Sequence, residues 1–190
     1  MPGLAEKFPG SVTTLKYVAG DIEVNNTIAE LLKTRHGRVD VVIANAGIHP
    51  STCQDAITPI ADMRDMFEVL FPLLKASPAA KFVPITSIGG SLTHGIENNF
   101  GLAGYGASKA ALNSISRRIH FENDWIRVGD TDMLTQFCNR DPTGAIGKFV
   151  QQVQKSPFET AKPLATVIEN ANRTSHGGEF LNFDDTKLPW

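Results

Sequence analysis

The chain has 190 residues, of which 42% are hydrophobic and 20% charged, and its formal net charge is -2. That length suits one domain with a sizeable core, and the charge excludes a broad basic surface for nucleic acid or anionic membrane. Cys53 and Cys138 show no C-x-x-C spacing, so neither a disulfide framework nor a structural zinc site is supported. No apolar run approaches the roughly 18 residues of a spanning helix, and Met1-Pro-Gly-Leu-Ala-Glu-Lys lacks the apolar stretch of a signal, so a cytoplasmic protein is expected.

Residues 1–11 carry two prolines and two glycines and allow at most a short helix. Val12 to Val18 is rich in β-branched and aromatic residues and predicts a strand, which ends in Ala-Gly-Asp21. Ile28, Leu31 and Leu32, followed by Gly37, predict a helix from Val24 to Arg35. Val39 to Ala44 is apolar on both faces, which predicts a strand inside a parallel sheet. A loop containing Pro50 and Pro59 precedes a helix from Asp62 to about Lys75, interrupted at Pro72.

Phe82 to Ser87 is a second buried strand closed by small turn residues, and a helix follows a glycine-rich loop, with Tyr105 at its start. Along Ala107 to Phe121, Ala110, Ala111, Ile115 and Ile119 recur at helical spacing. Beyond it, Trp125 to Val128 reads as a weak strand. Ile146–Gln154 and Glu159–Asn172 read as helices, and Gly178–Phe183 as a last strand. Alternating strands and helices without internal repeat or boundary predict one α/β domain over residues 1–190.

The chemistry concentrates at Ser87, Tyr105 and Lys109. Residues four apart share a helix face, so the Lys109 ammonium lies beside the Tyr105 phenol and draws a pKa of about 10 toward neutrality. Such a phenol can protonate a carbonyl oxygen that a strand-end hydroxyl, Ser87, also holds. Asn45-Ala46-Gly47 follows a strand at the same carboxyl edge of the sheet, where ligands of open α/β sheets bind.

Ser87 and Tyr-Gly-Ala-Ser-Lys, with Asn45-Ala46-Gly47 upstream, resemble the short-chain dehydrogenase/reductase family, and within it fungal ketoreductases of the norsolorinic acid ketoreductase type. The resemblance implies a Rossmann-type, doubly wound, mostly parallel sheet between two helical layers. It implies an NADP cofactor, with NAD also compatible, and a small-molecule ketone or alcohol as substrate. In its terms Tyr105 is the general acid, Lys109 lowers its pKa and bonds the nicotinamide ribose, and Ser87 orients the carbonyl. The Asn45-Ala46-Gly47 backbone lines the dinucleotide site, and Asn45 steadies the central sheet. Asp21 contacts the adenine end or, read on its own, caps a helix. Thr131 approaches the nicotinamide carboxamide or belongs to a turn and helix cap. The Tyr105 helix helps form dimers in the family, which allows a homodimer here. A bulky, polyketide-like or aromatic ketone is the substrate this subfamily suggests.

The chain also departs from the family's pattern. No Thr-Gly-x-x-x-Gly-x-Gly phosphate loop stands before Asn45, as though the first two strands and their helix were missing. No asparagine lies between Gly47 and Ser87, where the family carries a catalytic one; the segment looks excised between Val69 and Leu70. The Pro-Gly pair expected after Val128 is absent. An incomplete sheet should then leave edges and apolar surface exposed, and cofactor affinity should fall by several kcal/mol, at roughly 1.5–3 kcal/mol for each lost charge-assisted bond.

Three alternatives accompany this reading. The Ser87-to-Tyr105 interval is longer than usual in the family, so Ser91 competes for the hydroxyl role. Gly106-Ala-Ser108 nearly matches a hydrolase elbow, with His120 or His176 as base. A non-catalytic remnant that binds a partner through the Tyr105 helix is the third. The five histidines show no metal-binding spacing and read as solvent or core residues.

Overall fold

The computed structural model describes residues 3–45, 53–94, 103–132 and 157–190. Its elements in chain order are α1 (Leu4–Lys7), α2 (Ile22–His36), β1 (Val41–Ala44), α3 (Cys53–Lys75) and β2 (Lys81–Thr86). A single 3-10 turn (Ile88–Gly90) then leads to α4 (Ala103–Glu122), β3 (Arg127–Val128), β4 (Asp130–Asp132), α5 (Pro157–Asn170) and β5 (Phe180–Leu181). All strand pairs are parallel; the order is β1-β2-β4-β5, with β3 beside β2 ahead of β4.

Alternation along β2 divides the core into two. Phe82 points to one side, where it meets Phe67 edge-on at 5.1 Å within a cluster of Val42, Met63, Leu74, Leu112, Ile119 and Val128. Val83 and Ile85 point to the other side and pack on Leu164 and Ile168 of α5. The sheet thus lies between α3/α4 and α5, the three-layer α/β arrangement expected from the alternating elements. Burial of Phe82 through Thr86 matches the expected interior strand.

Four expectations are corrected. Val12 to Val18 forms no strand: no strand runs beside it among the described residues, and the buried Asn25 amide takes over both backbone groups of Val18 instead, accepting from its N–H at 3.2 Å and donating to its carbonyl at 2.9 Å. β1 is not buried on both faces. Val42 faces the core, but Val41 and Ile43 are 42% and 49% exposed, because β1 pairs only with β2 among the described residues and α5 stops short of covering it.

α3 runs through both Pro59 and Pro72. An internal proline costs roughly 3 kcal/mol, and the apolar face around Pro72 offsets it: Leu73 and Leu74 are buried, and Phe71 meets Trp125 edge-on at 5.2 Å. The helix is also continuous across Val69 and Leu70. Fourth, the buried face of α4 carries Ser108, Leu112 and Ser116 beside the expected Ile119; Ile115 packs on the core, while Ala110 and Ala111 are only partly buried. Its hydroxyls bond helix carbonyls, Ser108 to Tyr105 and Ser116 to Leu112, which lets polar groups enter the core.

Smaller shifts concern boundaries. α2, α4 and α5 begin two to four residues earlier than read, β3 is shorter than Trp125–Val128, and β5 is shorter than Gly178–Phe183. The helix read at Ile146–Gln154 lies outside the described residues.

One guanidinium closes the end of α4. Arg173 donates to the carbonyls of His120, Asn123 and Ile126 at 3.0, 2.9 and 2.6 Å. His120 is buried beside it, and burial first, then the Arg173 charge, pushes its pKa below the ordinary histidine value. The folded state therefore prefers neutral His120, while the unfolded chain takes up a proton near pH 6.5. Stability is expected to fall as pH drops through about 6.5, and the fall should be shallower in His120→Gln. Urea midpoints measured on both proteins at about pH 7.5 and 5.5 check this; equal slopes would remove His120 from the account.

Candidate active site

Ser87 follows the last residue of β2 in extended conformation, at φ -159 and ψ 148, and is 1% exposed. Its Oγ accepts from the Gly89 N–H at 3.2 Å and so caps the 3-10 turn, while its carbonyl accepts from Gly90 N–H at 2.8 Å. The turn folds the chain back onto the first turns of α4. There Gly89 lies between the two groups of interest: a Cβ on it would stand 3.6 Å from Ser87 Oγ and 3.6 Å from Tyr105 Cε1. The strand-end hydroxyl and the phenol ring therefore flank the same glycine.

Two glycines make this approach possible. A Cβ on Gly90 would come within 2.6 Å of the Lys109 carbonyl carbon, and one on Gly106 within 2.8 Å of the Gly89 carbonyl oxygen. Turn and helix thus touch backbone to backbone. Lys109 is half-buried one turn beyond Tyr105; its Nζ lies 5.7 Å from the phenol ring centroid and donates to the Ile85 carbonyl at 2.8 Å. That bond to β2 holds the ammonium near the ring.

Thr86 and Asn113 are residues that the sequence reading missed. Thr86 Oγ1 donates to Asn113 Oδ1 at 2.6 Å, and Asn113 Nδ2 donates to the Gly90 carbonyl at 3.4 Å, both within the buried interior. They tie the end of β2 to the face of α4 that carries Lys109. The signal was available in the spacing: Tyr105, Lys109 and Asn113 stand four residues apart on one helix face.

The remaining candidates stand on other elements or outside the described residues. Asp21 caps α2, accepting from Val24 N–H at 3.0 Å. Asn45 is exposed just beyond β1. Ala46 and Gly47 lie outside the described residues. Thr131 sits in β4, in register with Ile85 and Leu181, which replaces the turn-and-cap reading with a strand at the carboxyl end of the sheet.

Ser91 is turned elsewhere, its Oγ donating to the Pro189 carbonyl at 2.8 Å, so Ser87 is the hydroxyl beside Tyr105. The hydrolase reading is overturned. Ser108 lies inside α4, is 6% exposed and donates to the Tyr105 carbonyl, whereas His120 faces Arg173 and His176 faces Asn172 and Asp185. Among the described residues no group of three His, Cys, Asp or Glu side chains is placed to hold a metal, and no helix is long and apolar enough to cross a membrane.

The donor set fits the nicotinamide end of a dinucleotide: an ammonium and a phenol stand at the carboxyl edge of the parallel sheet, within one helix turn of each other. Among the described residues there is no glycine-rich strand-to-helix turn of the kind that holds a pyrophosphate.

Residues 4–129 match the family model described as short chain dehydrogenase. The chain is 32% identical to short chain dehydrogenase gsfK of Penicillium aethiopicum over 176 residues, covering 81% of this chain and 68% of that protein. It is 27% identical to norsolorinic acid ketoreductase nor1 of Dothistroma septosporum, over 85% of this chain and 66% of that one. Among solved structures, NADPH-bound carbonyl reductase from chicken fatty liver superposes with a TM-score of 0.79 at 18% identity, over 98% of this chain and 80% of that chain. The chain belongs to the short-chain dehydrogenase family, whose members are NAD(P)-dependent oxidoreductases acting on hydroxyl and carbonyl groups.

Proposed function

We propose that this protein is an NADP-dependent ketoreductase that reduces a bulky, aromatic or polyketide-like ketone in fungal secondary metabolism, with turnover limited by weak cofactor binding. The observation that carries the reading is that Ser87 Oγ and the Tyr105 ring flank Gly89, with Lys109 held one turn away at the Ile85 carbonyl. The relatives' sources, Penicillium aethiopicum and Dothistroma septosporum, support the fungal setting, and the NADPH-bound carbonyl reductase supports NADP.

The dinucleotide, when bound, supplies the hydride. The chain's own residues do the rest. Ser87 donates a hydrogen bond to the substrate carbonyl oxygen and polarises it. Tyr105 delivers its phenolic proton to that oxygen as negative charge develops there, and the Lys109 ammonium stabilises the phenolate left behind. Thr86 and Asn113 keep β2 and α4 in register, so that hydroxyl and phenol face one oxygen. The outer face of α4, with Arg117 over the 66% exposed Phe121 ring, is the surface for a homodimer.

NADPH titration by calorimetry tests the reading. Without a phosphate loop, two lost charge-assisted bonds alone weaken binding by about 10²-fold or more relative to an intact family member. Weak but saturable NADPH binding accompanied by slow ketone reduction is expected. Tight binding would refute the impairment, and no binding would refute the reductase.

A further inference from the structure

Ser91, Thr93 and His94 mark where the chain leaves Ser87 on its way to Tyr105; they bond one another, and two of their hydroxyls also reach the end of the chain. Ser91 is 3% exposed; its Oγ accepts from the N–H groups of Thr93 at 3.2 Å and His94 at 3.0 Å, and donates to the Pro189 carbonyl at 2.8 Å. Thr93 Oγ1 donates to the main-chain oxygen of Trp190 at 2.8 Å. Both hydroxyls thus direct a hydrogen bond to residues nearly a hundred positions away, although turn hydroxyls ordinarily bond locally.

The Leu188–Trp190 tail is itself anchored twice. Leu188 N–H donates to the Phe180 carbonyl at 2.8 Å, and the Trp190 ring lies on the Phe180 ring at 5.6 Å. Arg117 of α4 stands 5.1 Å over the same indole. Trp190 therefore joins three parts of the molecule: β5, the helix that carries Tyr105 and Lys109, and the segment after Ser87.

We propose that Pro189 and Trp190 are positioning residues of the carbonyl site. By fixing Ser91, Thr93 and His94 they set how the chain departs from Ser87, and so how a bulky ketone is held, without acting on the dinucleotide. This rests on the ketoreductase reading above. It also accounts for Ser91, the second serine considered for the hydroxyl role, which holds the tail instead.

The test compares wild type, Trp190→Ala and Trp190→Phe in the full chain, with benzil as the probe ketone at near-saturating NADPH. Trp190→Ala should speed amide hydrogen exchange at Thr93 and His94 by at least about 10-fold, with α3 and β2 unchanged. It should raise KM for benzil by about 10-fold, with kcat and NADPH affinity within about twofold of wild type. Trp190→Phe, which keeps a ring on Phe180, should restore both. Unchanged exchange overturns the proposal. So does faster exchange with unchanged KM, which makes the tail a strut only, and so does NADPH affinity falling in step with KM. If wild type binds NADPH but never reduces benzil or another aromatic ketone, the ketoreductase reading fails first and the positioning role falls with it, whereas normal wild-type turnover with silent variants sinks the positioning role alone.

Discussion

Tyr105→Phe should lower the single-turnover rate of ketone reduction by about 10²–10⁴-fold, the range that a positioned general acid contributes, while leaving NADPH affinity and thermal stability where they were. The phenyl ring keeps its place beside Gly89, while the hydroxyl that carries the dissociable proton is removed. Rapid mixing at high enzyme concentration measures the rate even where steady-state turnover is slow. A rate within a few-fold of wild type would falsify the assignment of the acid. A non-catalytic remnant, by contrast, has no rate to lose.

Gly90→Ala should damage fold and site together. The added methyl would lie 2.6 Å from the Lys109 carbonyl carbon, 2.7 Å from Lys109 Cβ and 2.8 Å from Ala110 N, none of which can swing aside without moving α4. Overpacking of this kind costs about 1–3 kcal/mol, which for a chain of this size lowers the thermal midpoint by roughly 2–12 °C. The rate should fall as well, because the turn is pushed off the helix that carries Tyr105. Gly89→Ala separates the two effects. Its methyl meets Ser87 Oγ and Tyr105 Cε1 at ordinary contact distance, so the fold should survive while the space between hydroxyl and phenol is filled. Equal midpoints for Gly90→Ala and wild type, read by calorimetry, would mean that the turn is not pressed on α4.

What the sequence made legible was local. The apolar run from Phe82 and the four-residue spacing of Tyr105 and Lys109 are properties of neighbours along the chain, and both reappear in the structure. The failures have a common origin in partners that local patterns do not name. Val12 to Val18 has the composition of a strand, but a strand needs another beside it, and the Asn25 amide supplied the hydrogen bonds instead. Val41 and Ile43 read as interior because they are apolar, yet burial depends on what α5 reaches. Pro72 read as a helix break because the cost of proline is local, whereas the packing that offsets it is tertiary. The site was legible to the same degree. Ser87, Tyr105 and Lys109 follow from spacing and order; the Thr86 to Asn113 bond and the ties from Ser91 and Thr93 to the tail join residues far apart in sequence.

The uncovered flank of β1 bears on how such a molecule would behave in a crowded solution. Four residues of backbone whose outer donors and acceptors have no β-ladder partner among the described residues, with two aliphatic side chains beside them, present a template on which any extended polypeptide can continue the sheet. An added strand, from this chain or from another, would extend the sheet on that side.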